Sequence, residues 1–370
     1  MEKEEMNVSS EQLKSWLDSG KDVFILDVRP QEQREEWHIA GSIHLDAYKR
    51  LNDGDMSVLD EITIPNDVPV VTVCAAGRTS SIAANELRKK GINAYSLNGG
   101  MKEWNFAWNA AEITIGDVTL IQVRRVAKGC LSYIIGSRNE AIVVDASLDP
   151  KVYTTIAAEH NWTFQYVLDT HIHADYISRT IELAEATGAV HLFSKNADVS
   201  YTYAPLSDGD IITFGSAKLI AVFTPGHTPE GFSFQINNSF LLTGDTLFID
   251  SVGRPDLKAD HEQGMKKAEQ LFFSIRRLLT LGTDDLLVLP AHTSGYIGFD
   301  GRIVGEKLSN LSAKIELLQL EKEAFVQQTM RRIAPTPPNY LQIAALNKTG
   351  NHEGVQLADL EAGPNRCAVS

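Results

Sequence analysis

The chain has 370 residues, 43% hydrophobic and 22% charged, the balance of a soluble globular protein long enough for two cores. A formal net charge of −14 argues against a general binder of nucleic acid or anionic membranes, since both need a basic surface. No apolar run reaches membrane-spanning length, MEKEEMNVSSEQ lacks an apolar signal segment, and Cys74, Cys130 and Cys367 lie too far apart in sequence to suggest a disulfide framework, so a cytoplasmic location is expected.

In chain order, Ser9 and Gln12 fit a capping box ahead of a helix that stops at Gly20. VFILDV (23–28) and PVVTV (69–73) are the apolar runs of buried strands. CAAGRT (74–79) joins the second run to a helical pattern ending at Gly91, and AYSL (94–97) predicts a third strand. Strands alternating with helices predict a small parallel α/β sheet. The character changes after Trp108. CLSYIIGSRNEAIVVD (130–145) predicts two strands about a turn at 137–140. Further strands are predicted at 166–169, 211–214, 218–223, 239–245 and 286–292, with a helix in SRTIELAEATG (178–188). Residues 311–332 are helical in pattern, and Pro335, Pro337 and Pro338 break them. The expected domains are 1–109 and 110–370, the second with a C-terminal helical extension, and the boundary falls within 109–116.

Cys74 follows a buried strand and precedes a helix N-terminus, with only small residues between. Loop N–H groups, the helix dipole and Arg78 all favour a thiolate or a bound persulfide there. A buried, inert core cysteine is the alternative. LDVRP (26–30), HIAGSI (38–43), CAAGRTS (74–80) and GGMKEW (99–104), in that order, resemble a single rhodanese domain. The resemblance implies Cys74 as a sulfur-accepting nucleophile, Arg78 as the charge in its loop, and Asp27 with Arg29 as a structural pair. The loop has one arginine where the commonest form has more.

THIHADY (170–176) follows another predicted strand. Two histidines at alternate positions can face one centre, and Asp175 can orient a ligand or hold a second ion. A polar loop with chance histidines is the competing reading. His227 in TPGHTPEGFSF (224–234), Asp245 in LLTGDTLFID (241–250) and His292 in LVLPAHTSG (287–295) also fall at strand ends. Such loops on one sheet edge are where α/β folds assemble sites.

The series resembles the metallo-β-lactamase superfamily over 116–308. Within it, GCLSYIIG (129–136), LDTHIHAD (168–175), GDTLFIDSVGRPDL (244–257) and PAHTSG (290–295) are most similar to the persulfide dioxygenases. That resemblance implies an α/β chain: a rhodanese-like parallel sheet with flanking helices, then an αββα sandwich. It also implies one Fe(II) on His171, His227 and Asp245, with His173 as a further metal candidate. Asp175, Tyr176, Arg254 and His292 would line the substrate or stand behind the ligands. Tyr176 replaces a histidine that holds a second metal in the superfamily's binuclear hydrolases, which favours mononuclear iron over paired zinc. Arg179 replaces a small residue, and 308–310 lack a basic residue that helps hold glutathione. The expected function is oxidation of a low-molecular-weight persulfide by O2 to sulfite, joined to sulfane-sulfur transfer between thiosulfate and a thiol. The alternatives are a glyoxalase II-like thioester hydrolase with a divalent metal and a non-catalytic sulfur-relay protein, and zinc is the alternative cofactor. No nucleic-acid or membrane partner is expected, and homo-oligomerisation is left open.

Overall fold

Alternating apolar residues in the first strands build a sheet buried on both faces. The computed structural model describes residues 6–255, 260–282, 285–295, 297–333, 335–337 and 339–369. Pro338 and two residues of the 244–257 motif, Asp256 and Leu257, lie outside them. β1 (Asn7–Val8), β2 (Phe24–Asp27), β3 (Ile43–His44), β4 (Val70–Val73) and β5 (Ala94–Leu97) form a parallel sheet in the order β1-β5-β4-β2-β3. Leu26, Val28 and Val70 pack on one face with Ala83, Ala84 and Leu87 of the helix Arg78–Lys89. Ile25, Val71 and Val73 pack on the other with Leu13 and Trp104. This split follows the two-residue period of side chains along a strand.

The second unit is a sandwich of two sheets. β6 (Trp108–Ile115), β7 (Val118–Arg125), β8 (Leu131–Ser137), β9 (Glu140–Val144), β10 (Thr163–Leu168), β11 (Val190–Ser194) and β12 (Ala204–Leu206) form one. β13 (Ile211–Phe214), β14 (Ala217–Phe223), β15 (Phe232–Ile236), β16 (Phe240–Gly244), β17 (Leu287–Pro290) and β18 (Glu306–Lys307) form the other. Leu120, Tyr133, Ile135, Ile142 and Val144 meet Leu219, Phe232, Phe234, Phe240 and Leu289 between the sheets. The alternate residues face outward. Val123, Ile134 and Val143 take the helices Pro150–Glu159 and Thr180–Thr187, while Leu241 and Val288 take the helix His261–Leu278. The result is the expected αββα layering.

β6 begins at Trp108, so the 109–116 boundary stretch is an edge strand, paired along its length with β7. The two units share a core at this junction. Val126, Ala127 and Phe299 of the sandwich pack on the cluster holding Trp104 and Ala107. The 311–332 stretch is not one helix. It divides into Leu308–Lys314, a 3-10 turn Glu316–Gln319 and Lys322–Arg331, followed by the helices Tyr340–Thr349 and Leu357–Leu360. No helix among the described residues is long and apolar enough to cross a membrane.

Candidate metal centre

The strand ends named above converge on one edge of the sandwich. His171 and His173 lie in the loop after β10, His227 between β14 and β15, Asp245 directly after β16, and His292 two residues after β17. Asp245 Oδ2 sits 3.5 Å from His171 Nε2 and 3.5 Å from His227 Nε2, yet hydrogen-bonds to neither. All three side chains are buried. Ligand atoms about 3 to 3.5 Å apart are what one ion with bonds of about 2.1 Å requires. A cavity of about 10 Å³ borders these residues together with Thr170, Thr224 and Thr246, room for one ion- or water-sized group. An orphaned buried carboxylate oxygen facing two imidazole nitrogens therefore fits a divalent metal.

The residues behind this trio fix its orientation. Thr170 donates its backbone N–H (2.7 Å) and its hydroxyl (3.0 Å) to Asp145, and its Oγ1 lies 2.8 Å from His171 Nδ1. His227 Nδ1 is 2.8 Å from the Arg254 carbonyl and donates to it. Each ring thus has its Nδ1 engaged and its Nε2 turned to the centre, the usual support for a metal-bound imidazole. Burial pushes His227 down to about 4, which keeps it neutral and fit to ligate. Asp245 Oδ1 accepts from His292 Nδ1 at 2.6 Å, leaving only Oδ2 for the ion. Burial opposes a charge on His292, but Asp175 and Asp245 outweigh it and raise its pKa well above the usual value.

His173, expected among the ligands, lies beside His171, ring centroids 4.2 Å apart, but is not grouped with the trio. Its Nε2 is 3.0 Å from Asp145 Oδ1 and 3.8 Å from Asp169, and its Nδ1 has no hydrogen-bond partner. Tyr176 is buried, stacks on His173 with centroids 4.3 Å apart, and donates its hydroxyl to the Asp145 carbonyl at 3.3 Å. Asp175 meets His292 Nε2 at 3.0 Å and accepts from Cys130 Sγ at 3.3 Å. Arg254 is buried against residues 336 and 366, donating to Thr336 Oγ1 and the Arg366 carbonyl. Arg179 pairs with Glu182. Sequence reasoning missed Asp145, Thr170, Cys130 and Cys367. The first three sit within or beside quoted motifs. Cys367, which comes within ligand distance of Asp245 and His292, has no local signal.

In the first unit, Gly77 N–H and Ser80 Oγ donate to Cys74 Sγ at 3.1 and 3.3 Å. The loop is clamped by Met101 N–H on the Cys74 carbonyl, 2.9 Å, and Lys102 N–H on Ala75, 3.1 Å. Gly100, at φ +58°, permits this approach: a Cβ there would meet the Cys74 carbonyl at 2.2 Å. Arg78 opens the helix and is exposed. Arg29 forks onto Asp27 at 2.7 and 2.9 Å, both fully buried.

Comparison with known proteins bears on both units. Residues 9–107 match the rhodanese-like domain and residues 125–293 the metallo-beta-lactamase superfamily. The human mitochondrial persulfide dioxygenase ETHE1 is 30% identical over 180 residues, 48% of this chain and 68% of its own length. The chain is a rhodanese-like domain fused to a metallo-β-lactamase domain of the persulfide dioxygenase family. Two solved structures are similar to this chain. A metallo-beta-lactamase from Staphylococcus aureus has TM-score 0.58 at 25% identity, covering 64% of this chain and 74% of that one. ETHE1 from Myxococcus xanthus has TM-score 0.54 at 24% identity, covering 66% and 100%; at that identity it speaks to the fold. The match to the bovine dioxygenase spans 65% of that protein's length, so roughly a third of such relatives has no counterpart in the alignment.

Proposed function

We propose that the metallo-β-lactamase domain oxidises a low-molecular-weight persulfide with O2, and that the rhodanese-like domain moves sulfane sulfur through Cys74. The observation that carries the reading is the trio of His171, His227 and Asp245 around one unpartnered oxygen, with Tyr176 where a second-metal histidine would stand. A ferrous ion on two histidines and one carboxylate supplies open positions where O2 and a sulfur ligand can meet.

The chain's own residues do the rest. Thr170 and the Arg254 carbonyl hold the two imidazoles in the tautomer that presents Nε2. His292 keeps Asp245 to a single free oxygen. Two cavities flank the trio. One of about 170 Å³ is lined by Ile172, His227, Pro229, Ala344 and Lys348, the last paired with Asp198 at 2.6 Å. In the other domain, the Cys74 sulfur attacks the sulfane sulfur of thiosulfate. The new S–S bond forms as the old one breaks, and sulfite leaves with the bonding pair. The Gly77 N–H and Ser80 hydroxyl already on Sγ then stabilise the anionic persulfide.

The test is O2 uptake by anaerobically iron-loaded protein given glutathione persulfide, with zinc-loaded protein as the control. Uptake that needs iron and yields sulfite supports the reading. Thioester hydrolysis by the zinc form without O2 uptake by the iron form would replace it with the hydrolase alternative. Cys74→Ser should abolish sulfur transfer from thiosulfate and leave O2 uptake intact, because the hydroxyl cannot form a persulfide.

A further inference from the structure

The turn between β14 and β15 places Thr228, Pro229 and Glu230 directly after His227. The helix Tyr340–Thr349 carries Ala344 and Lys348 four residues apart, hence on one face. These two elements and Ile172 enclose the cavity of about 170 Å³. His227 and Thr228 line both this cavity and the small one at the trio, so the two adjoin. Ala344 has no side chain beyond Cβ, which leaves the space open, and the Lys348–Asp198 ion pair closes the rim. Two buried polar groups line the cavity without full partners. Glu230 is 3% exposed; it accepts the Ile172 N–H at 2.8 Å and makes no ion pair among the described residues. Thr228 is 8% exposed, and its Oγ1 has no hydrogen-bond partner. A buried carboxylate without a counter-charge is costly, and a cationic group on a ligand would offset that cost.

We propose that this cavity holds the carrier end of the persulfide and selects an amino thiol of the cysteine class, whose ammonium pairs with Glu230. The sulfur end then lies past Thr228, toward the trio. A cavity of about 150 Å³ takes a benzene-sized molecule, so this one suits an amino-acid persulfide of about eight non-hydrogen atoms. In cysteine the ammonium sits on the carbon next to the one that bears sulfur. In glutathione the nitrogen at that place is a neutral amide, which offers Glu230 no charge, and the flanking residues outgrow the cavity. The inference rests on the persulfide reading for what the sulfur does. The ammonium site itself needs neither iron nor O2.

The experiment has a binding arm and a turnover arm. Calorimetry on the zinc-loaded full chain compares S-methylcysteine, 3-(methylthio)propionate, which lacks only the ammonium, and S-methylglutathione. S-methylcysteine should bind about tenfold or more tighter than either of the others. Glu230→Gln should abolish its advantage over 3-(methylthio)propionate and leave the latter's affinity unchanged. Ala344→Leu, which fills the cavity without touching a charge, should weaken all three. Equal binding of S-methylcysteine and 3-(methylthio)propionate by the wild type, or an advantage that survives in Glu230→Gln, overturns the proposal, as does unchanged S-methylcysteine binding in Ala344→Leu. In the turnover arm, iron-loaded protein should oxidise cysteine persulfide with kcat/KM about tenfold or more above that for glutathione persulfide. An equal or reversed ratio overturns the selectivity and leaves the persulfide reading standing. S-methylcysteine binding that depends on Glu230, with O2 uptake from neither persulfide, keeps the amino-thiol site and removes the persulfide reading instead.

Discussion

At the scale of single residues, Asp145 shows what the sequence can and cannot carry. It ends an apolar strand run and reads as the start of a turn. Only the parallel register of β9 on β10 sets it beside residues 169–173, where it holds Thr170 and His173. Its backbone, at φ +59°, lies in the left-handed region, a strained place for aspartate that its three contacts offset. His171, His227 and Asp245 were legible because each polar residue interrupts an apolar strand at its end. The pairing of His173 with Asp145 was not, since spacing alone brings both histidines of an HxH pair to one face. Tyr176 is the residue whose role turns on chemistry. Tyr176→Phe removes one hydrogen bond to a backbone carbonyl, so stability should fall by about 1 kcal/mol while iron content and O2 uptake stay level. Metal analysis and an oxygen electrode read this directly. A large rate loss at unchanged iron would make the hydroxyl part of the reaction.

At the scale of elements, long apolar strands were readable and short ones were not. β1 and β3 have two residues each, too few for any period, and they exist because β5 and β2 offer parallel edges. The 311–332 stretch misleads for a different reason. Ile315 is extended, and Ile315, Leu317 and Leu318 are all buried against the helix His261–Leu278, a spacing that tertiary packing rewards and a continuous helix would not supply. β11 carries a pH signature. His191 is buried among Phe193, Tyr201 and Tyr203, and burial pushes its pKa down to about 4. The unfolded chain takes its proton at about 6.5, so the native state loses stability as pH falls from there toward 4, by up to about 3 kcal/mol. His191→Phe should flatten that acid-side slope in urea melts at about pH 7, 6, 5 and 4.5. A variant slope equal to the wild type's would place the acid sensitivity elsewhere.

At the scale of the whole molecule, residues 359–369 tie the parts together. Lys102 of the first unit bonds Asp359, Arg366 reaches Glu36 at 3.8 Å, and Gly253 bridges Ala368. Glu361 is the anchor. One carboxylate oxygen meets Arg125 at 2.7 Å with both groups fully buried, and the other accepts from Ile177 N–H at 3.0 Å. Glu361→Gln leaves the Arg125 charge uncompensated, so stability should drop by about 3–5 kcal/mol, measured by denaturant unfolding. Pairing it with Arg125→Met should recover part of the loss; no recovery would mean the charge pair is not what the segment contributes. The same anchoring sets an order of events during synthesis. Residues 6–107 hold one cluster entirely their own, on the face of Leu26 and Val70, and can begin to close while translation continues. The other half closes later, because its buried Arg125 pairs with Glu361, far along the chain. Buried Arg125 therefore waits for Glu361 through most of translation, a cation without its counter-charge until residues 359–369 dock.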